Sequence, residues 1–258
     1  MTDTITNFGN GFHHIRGVHR IGGLVDVGTH CSLVELSLGG FVFLDSYTLT
    51  GAIHAAVMRL TDGGTRVQAI LNLHPYHTVH CEWMHRNFPQ AKLYGTLRHR
   101  EKLPHLEWEK VLCEDEALAE LFGDGLQFSV PHGVDLVCEK ESVHFGSVLA
   151  YHPASGTIHV DDTLSCVELP GLLTRLPLPL TGHLAFHPAL PGALKREAGA
   201  ADAFEAWAYQ LGIAWHDARL VAAAHNSTVE LAGDFPERVG AALGRVAPVL
   251  NRHRRRFG

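Results

Sequence analysis

The sequence predicts a mixed α/β fold with two β-sheets in the middle and helices packed on the outside. Short β-prone runs broken by glycine fill residues 12–49, and a strand–helix–strand unit follows them. After a second group of hairpin-like strands the chain returns to strand and helix, so two similar halves each begin with strands. Sheets and helices must bury their apolar faces against each other, and a layered arrangement satisfies both halves.

The first half begins as an antiparallel meander. Residues 32–36 alternate apolar and polar side chains, as a half-buried strand does, whereas residues 41–44 are continuously apolar, as in a buried strand. The Gly39-Gly40 pair between them predicts a hairpin turn. The elements predicted next are a helix, a strand, a second helix and a short strand, over residues 51–60, 67–73, 79–88 and 92–95.

The second half repeats the order of strands followed by helices. Strands are predicted over residues 126–130, 134–138, 147–152, 157–160 and 219–224, and helices over residues 115–122, 202–211 and 236–254. Residues 169–191 contain five prolines and predict a long surface loop, either an apolar lid over a site or a contact within a homodimer. No internal repeat or low-complexity linker interrupts the chain, which predicts one domain over residues 1–258.

The composition is that of a globular protein without a general attraction for nucleic acid. Of the 258 residues, 46% are apolar and 19% are charged, which allows a large core, and the net charge is −6. The five cysteines are widely spaced and form no C-x-x-C pair, as is typical of a reducing compartment. We see no signal peptide, and no apolar run approaches the about 20 residues of a membrane span. These features predict a cytoplasmic protein without a membrane partner.

The most distinctive stretch is residues 71–85, which holds four of the chain's 20 histidines. It directly follows the apolar run 67–71, so a strand is predicted to end there and to present polar side chains on the next loop. Imidazole is the commonest metal ligand in proteins, and clustered neutral histidines suit zinc, iron, copper or nickel. The alternative is a helix start that is merely rich in histidine.

Three later places put residues of the same kind at strand ends. His144 stands just before a predicted strand, Asp161 and Asp162 directly follow one, and His225 ends the apolar run 220–224. Because ligands in such sheets bind beyond the strand ends, these side chains are expected to lie near the histidine-rich stretch.

The order of these four places resembles that of the metallo-β-lactamase-fold hydrolases. That family shows an H-x-H-x-D-H turn, then a histidine before a G-S-V strand, then a G-D-T strand end and a terminal histidine after a strand. The matching segments here are His77-Thr78-Val79-His80, His144-Phe145-Gly146-Ser147-Val148, Asp162-Thr163-Leu164 and His225, with Asp45 resembling the family's strand-ending aspartate. The resemblance covers about residues 12–230 and implies a four-layer αββα sandwich with one or two metal ions between its sheets.

The sequence departs from the family pattern at the first motif. Val79 stands where the family has the aspartate that binds the second metal and serves as base. Pro75 occupies the place of the first histidine, with His74 one residue further back, and Asp161 replaces the glycine before the bridging aspartate. Since valine has no lone pair to offer, the resemblance implies a weakened second metal position.

The resemblance implies a divalent metal cofactor, with zinc as the first expectation and iron or manganese as alternatives. The implied ligands are His77, His144 and Asp162 for the first ion, with His74 joining if the turn bulges, and His80, Asp162 and His225 for the second ion. Because three or four ligands suffice for a catalytic zinc, a site with one ion is expected and a second ion remains an option.

The function implied is hydrolysis of a small-molecule ester, lactone, thioester or phosphoester by metal-activated water. Asp162 takes the shared-ligand role, and Asp161 acts as base or as the hydrogen-bond partner of His80 or His225. Tyr76 either contacts the substrate or serves as a packed ring. The alternative from another class is a catalytically silent protein of the same fold that keeps a metal for binding, sensing or structure.

Other enzyme classes find less support in the sequence. No G-x-S-x-G elbow, no G-x-G-x-x-G after a strand and no G-K-[ST] loop is present, which argues against serine hydrolases and the usual nucleotide cofactors. A cysteine nucleophile is an alternative at Cys81, which lies beside His80 at a predicted helix start, where thiolates are stabilised.

Overall fold

Two β-sheets form the centre of the protein, whose computed structural model describes residues 3–17, 20–21, 25–26, 28–167, 183–224 and 228–258. The strands are β1 (Thr4–Asn7), β2 (Phe12–Gly17), β3 (Arg20–Ile21), β4 (Val25–Asp26), β5 (Thr29–Glu35), β6 (Phe41–Leu44), β7 (Val67–Asn72), β8 (Lys92–Gly95), β9 (Gln127–Ser129), β10 (Leu149–His152), β11 (Thr157–Val160), β12 (Leu164–Val167), β13 (His183–Phe186), β14 (Leu220–Ala223) and β15 (Thr228–Glu230). The helices are α1 (Gly51–Leu60), α2 (Cys81–Asn87), α3 (Leu97–Lys102), α4 (Ala117–Phe122), α5 (Leu190–Ala193), α6 (Ala200–Ala214) and α7 (Phe235–Phe257).

The first sheet has the strand order β1-β2-β5-β6-β7-β8. Its first four strands pair antiparallel, and β6, β7 and β8 pair parallel through crossovers that contain α1 and α2. The predicted β5–β6 hairpin is confirmed. Gly39 and Gly40 lie there at φ 84° and 86°, a left-handed backbone that glycine adopts without strain.

The second sheet has the order β15-β14-β11-β10-β9. Among its described strand pairs only β11–β14 is parallel, so β11, like β7 in the first sheet, ends where a parallel neighbour also ends. Two small hairpins, β3–β4 and β12–β13, complete the described strands.

Three apolar layers hold the sheets and helices together. Between α1, α2 and the first sheet, the layer contains residues such as Val57 and Phe43. The layer between the two sheets joins Leu71 of β7 to Ala150 of β10, and the third packs Phe204 of α6 on the second sheet. Each fully buried side chain of this size contributes about 1.5–3 kcal/mol relative to leaving it exposed. The predicted αββα sandwich is therefore confirmed.

Some predicted elements differ in the structure. Residues 134–138 form no regular strand, because Asp135 N–H donates to the Ala193 carbonyl and Lys195 N–H donates to the Gly133 carbonyl. Part of the predicted loop 169–191 is strand β13, whereas residues 168–182 lie outside the described residues. None of the helices in the described part of the chain combines the length and hydrophobicity needed to cross a bilayer.

Candidate metal centre

Asp45 anchors the histidine-rich loop at the end of β6. Its backbone lies at φ 61°, in the left-handed region that aspartate tolerates better than most residues, and its side chain is buried. Carboxylate oxygen Oδ1 accepts hydrogen bonds from the backbone N–H groups of Leu73 (2.8 Å) and His74 (3.3 Å). The loop that leaves β7 is therefore fixed by a side chain from the neighbouring strand.

His159 connects Asp45 to the other sheet. Its Nε2 atom lies 2.9 Å from Asp45 Oδ2, and its Nδ1 atom lies 3.0 Å from the Ser32 hydroxyl. Ser32 also contacts His14 Nδ1, at 3.4 Å. All four side chains are buried, so a row of polar side chains crosses the interface between the sheets.

Asp161 stands next to this row at the end of β11. Its Oδ1 atom lies 3.3 Å from His30 Nε2 and 3.4 Å from His77 Nδ1. Both residues are buried, yet neither ring nitrogen of His30 has a hydrogen bond within the described structure, and Asp161 meets the Asp45 carboxylate, with which it can form a hydrogen bond only if one of the two is protonated. The His30 ring stacks on the His159 ring with centroids 4.2 Å apart.

His74 and Asp162 form the neighbouring pair. His74 Nε2 lies 3.0 Å from Asp162 Oδ2 without the alignment of a hydrogen bond, while its Nδ1 accepts from the Tyr76 N–H at 3.2 Å. The rings of His74 and His77 stack at 4.1 Å. The structure thus brings together four predicted site residues from two distant segments, namely His74, His77, Asp161 and Asp162.

The remaining predicted ligands occupy different surroundings. The His144 ring stacks on Tyr76 at 4.1 Å and lies 6.4 Å from the His74 ring. His80 begins α2, and its Nδ1 atom contacts the Thr48 hydroxyl at 2.9 Å. His225 lies outside the described residues.

Solved structures with the same architecture are metallo-β-lactamases. The chain superposes on the enzyme from Erythrobacter litoralis with a TM-score of 0.60 and 13% identity, over 95% of this chain and 97% of the other. For the enzyme from Pontibacter korlensis the values are 0.58, 11%, 94% and 99%, and for FIM-1 from Pseudomonas aeruginosa in its mono-zinc form they are 0.55, 10%, 96% and 97%. The chain has the metallo-β-lactamase fold. No protein-family model and no curated protein sequence matches it, so the likeness lies in the fold.

The electrostatics of this metallo-β-lactamase-fold site leave its buried His30 imidazole neutral. Burial lowers the pKa of His30 well below its ordinary value, and the nearby His159 and His14 lower it further. Burial raises the pKa of Asp161 well above the usual range, and the charge of Asp45 adds to this. For Asp45 itself burial acts to raise the pKa, but the hydrogen bond and charge of His159 outweigh burial and hold the pKa below the ordinary value. A neutral imidazole is the form that binds a metal.

Several side chains of the site escaped the sequence analysis. His30 and Ser32 lie on the same face of β5 as Val34, which points into the layer between the sheets. Two polar residues at successive inward-facing positions of a buried strand, His30 and Ser32, are the sequence signal that could have indicated this part of the site. His14 and His99, to which the sequence analysis assigned no role, are also buried in the structure.

The structure also bears on the sequence interpretations of Cys81 and Tyr76. Burial raises the pKa of the Cys81 thiol to about 12, which disfavours a thiolate at neutral pH. The Tyr76 hydroxyl accepts a hydrogen bond from Cys138 N–H at 3.0 Å, and the Arg98 guanidinium covers its ring at 4.5 Å. Tyr76 is therefore held on both sides as a packed ring.

The donor set of the site fits a divalent metal ion. His30, Asp45, His159 and Asp161 each offer one donor atom, and these atoms lie within 4.8 Å of one another. His77 adjoins them, with its Nδ1 atom 3.4 Å from Asp161 Oδ1, and His74 and Asp162 form a neighbouring pair with 3.0 Å between Nε2 and Oδ2. Imidazole and carboxylate groups together suit zinc, iron or manganese. Buried nitrogen and oxygen atoms without hydrogen bonds are rare in proteins and are consistent with an ion as the missing partner.

Proposed function

We propose that this protein is a metal-dependent hydrolase that acts on a small-molecule ester, lactone, thioester or phosphoester. One observation carries the proposal. On a metallo-β-lactamase fold, the loops after β7 and β11 bring His74, His77, Asp161 and Asp162 into contact at one edge of the sheets. FIM-1, with which the chain shares this fold, was solved in a mono-zinc form.

The residues that would hold the ion at this edge are His74, His77 and Asp162, with His144 beside them. A bound divalent ion supplies an activated water and polarises the scissile carbonyl or phosphoryl group. Zinc is the first expectation, and iron or manganese are the alternatives. His80 and His225, the ligands inferred for a second ion, remain predictions.

The chain's own groups orient the site and handle protons. Asp45 fixes the loop backbone at His74, so the imidazole ring starts from a defined position. The His77 side chain is 24% exposed while Asp161 is fully enclosed, so a substrate reaches this pair from the His77 side. Asp161 Oδ1, at 3.4 Å from His77 Nδ1, is placed to orient that ring or to accept a proton near it.

A catalytically silent metal-binding protein is the second candidate, and the environment of Val79 favours it. The Val79 side chain is 80% exposed, and no carboxylate stands at this position, where the family carries its base. With valine at this position, any turnover would depend on Asp161, next to His77, to accept the proton.

Metal analysis combined with substrate screening separates the two candidates. The purified protein is analysed for bound metal and assayed on ester, lactone, thioester and phosphodiester substrates with added zinc, manganese or iron. If the protein is a hydrolase, we expect turnover that falls by more than about 100-fold in Asp162→Asn. This loss is larger than that typical of a residue that only hydrogen-bonds to a metal ligand. His105→Gln, at an exposed histidine paired with Glu82, is the control and should keep full activity. Stoichiometric metal without turnover on any substrate would favour the silent protein.

A further inference from the structure

Four buried side chains with potential metal-ligand atoms, two from each sheet, lie close together beside the proposed hydrolytic site. His30 comes from β5, Asp45 from the end of β6, and His159 and Asp161 from the end of β11. Their exposed fractions are 0–2%, and one donor atom of each lies within 4.8 Å of the others. We refer to these four residues as the inner cluster.

Two members of the inner cluster lack the hydrogen bonds that buried polar groups normally have. Neither ring nitrogen of His30 has a hydrogen-bond partner among the described residues, and within the same part of the chain Asp161 can form a hydrogen bond only by sharing a proton with the Asp45 carboxylate. The great majority of buried polar side-chain atoms in proteins are hydrogen-bonded. His30 Nε2 and Asp161 Oδ1 lie 3.3 Å apart, so an ion between them would be the missing partner of both atoms.

One distance within the cluster equals the distance between two ligand atoms of a common ion. His30 Nε2 and Asp161 Oδ1 are 3.3 Å apart, which is beyond the usual length of an N–H···O hydrogen bond. Two ligand atoms of a tetrahedral ion with bonds of about 2.0 Å lie roughly 3.3 Å apart.

His159 has the outer contact that a metal-binding histidine needs. Ligating histidines nearly always donate the other ring N–H to an acceptor, which fixes the ring and the tautomer. The Ser32 hydroxyl oxygen, 3.0 Å from Nδ1, can serve as that acceptor. With Nδ1–H donated to Ser32, Nε2 carries the lone pair that an ion needs, so binding of an ion would replace the hydrogen bond between Nε2 and Asp45 Oδ2, which spans 2.9 Å.

We propose that His30, Asp45, His159 and Asp161 form an inner binding site for a divalent first-row transition-metal ion, separate from the outer donors His74, His77 and Asp162. Two imidazoles select zinc, iron or manganese over magnesium and calcium, which prefer all-oxygen sites. Asp161 links the two sites, because its Oδ1 also lies 3.4 Å from His77 Nδ1. Binding of an ion at the inner site is independent of whether the protein is a hydrolase.

Metal stoichiometry in single variants tests the inner site. The full-length protein is stripped with a chelator, reloaded with zinc, desalted and analysed by mass spectrometry of the metal. His30→Gln and Asp161→Asn should each bind one ion fewer per chain than the wild type. His152→Gln is the matched control, because His152 is also buried but has Ser155 as its hydrogen-bond partner, at 2.9 Å. His30→Gln that folds and binds as much zinc as the wild type would overturn the proposal.

A variant that removes two of the three outer donors, His77 and Asp162, tests the same site while keeping all four residues of the inner cluster. The double variant His77→Gln, Asp162→Asn should lose any hydrolytic activity yet bind one zinc ion. Its X-ray absorption spectrum should show two imidazole ligands together with oxygen ligands. A folded double variant that binds no zinc, or binds it without imidazole, would refute the inner site, whereas loss of activity alone would concern only the proposed function.

Discussion

Replacing Asp45 by alanine should destabilise the protein far more than replacing it by asparagine. Alanine removes the oxygen that accepts from the N–H groups of Leu73 and His74 and also leaves His159 Nε2 without its carboxylate partner. Asparagine keeps an oxygen for the two backbone groups. Its amide can donate to His159 Nε2, since that ring can switch tautomer and donate to Ser32 instead.

The magnitude follows from the groups left without partners. A buried N–H without an acceptor costs about 1–3 kcal/mol. The left-handed backbone at φ 61° adds about 1–2 kcal/mol for alanine, whereas asparagine tolerates it. Allowing for relaxation of the loop, we expect Asp45→Ala to lower the free energy of unfolding by about 4 kcal/mol, and Asp45→Asn by less than about 1.5 kcal/mol.

Urea unfolding of the metal-free proteins, monitored by circular dichroism, measures the change in the free energy of unfolding for both variants. In thermal unfolding, Asp45→Ala should lower Tm by about 10 °C. Amide hydrogen exchange at Leu73 and His74 should accelerate in Asp45→Ala only. If Asp45→Ala lies within about 1 kcal/mol of the wild type, or if asparagine is as damaging as alanine, the proposed anchoring role of the Oδ1 atom is wrong.

Three further predictions concern single positions. Val79→Asp should leave the metal content unchanged in elemental analysis, because the Val79 side chain is 80% exposed; a gain of one ion per chain would instead support the family's second metal position. Burial lowers the pKa of His152, so the folded protein favours the neutral form of this imidazole. The neutral side chain stabilises the fold above its ordinary pKa of about 6.5, and this stabilisation is lost as the pH falls toward the lower pKa of the folded state. His152→Gln should therefore make the free energy of unfolding less dependent on pH below about 6.5, and an unchanged pH profile in urea titrations would contradict this. Gly17→Ala should lower Tm, because the added Cβ would lie 2.0 Å from the Tyr47 ring and would displace this buried side chain. Gly240→Ala in α7, with open space around it, should instead stabilise the protein by about 0.5–1 kcal/mol, and equal Tm values for the two variants would refute the steric reasoning.

The order of strands and helices was readable from local sequence. The Gly39-Gly40 turn, the apolar run of β7 and the strand end before Asp161 are properties of adjacent residues, since alternation and turn chemistry act over a few positions. The motif order then predicted the αββα sandwich, which the structure confirms. The same local signals failed at residues 134–138, where backbone partners from residues 193 and 195 take the place of a neighbouring strand.

The inner cluster could be found only in the tertiary structure. Its contacts join residues far apart in the chain. The separation is 114 positions from Asp45 to His159, and 127 positions from His159 to Ser32, which contacts the other nitrogen of its ring. Nothing in the residues around His30 indicates that its ring lies 4.2 Å from that of His159, because this depends on how the two sheets pack face to face. Sequence alone determined which strand ends carry imidazole and carboxylate side chains, and the packing of the sheets decided which of those side chains meet.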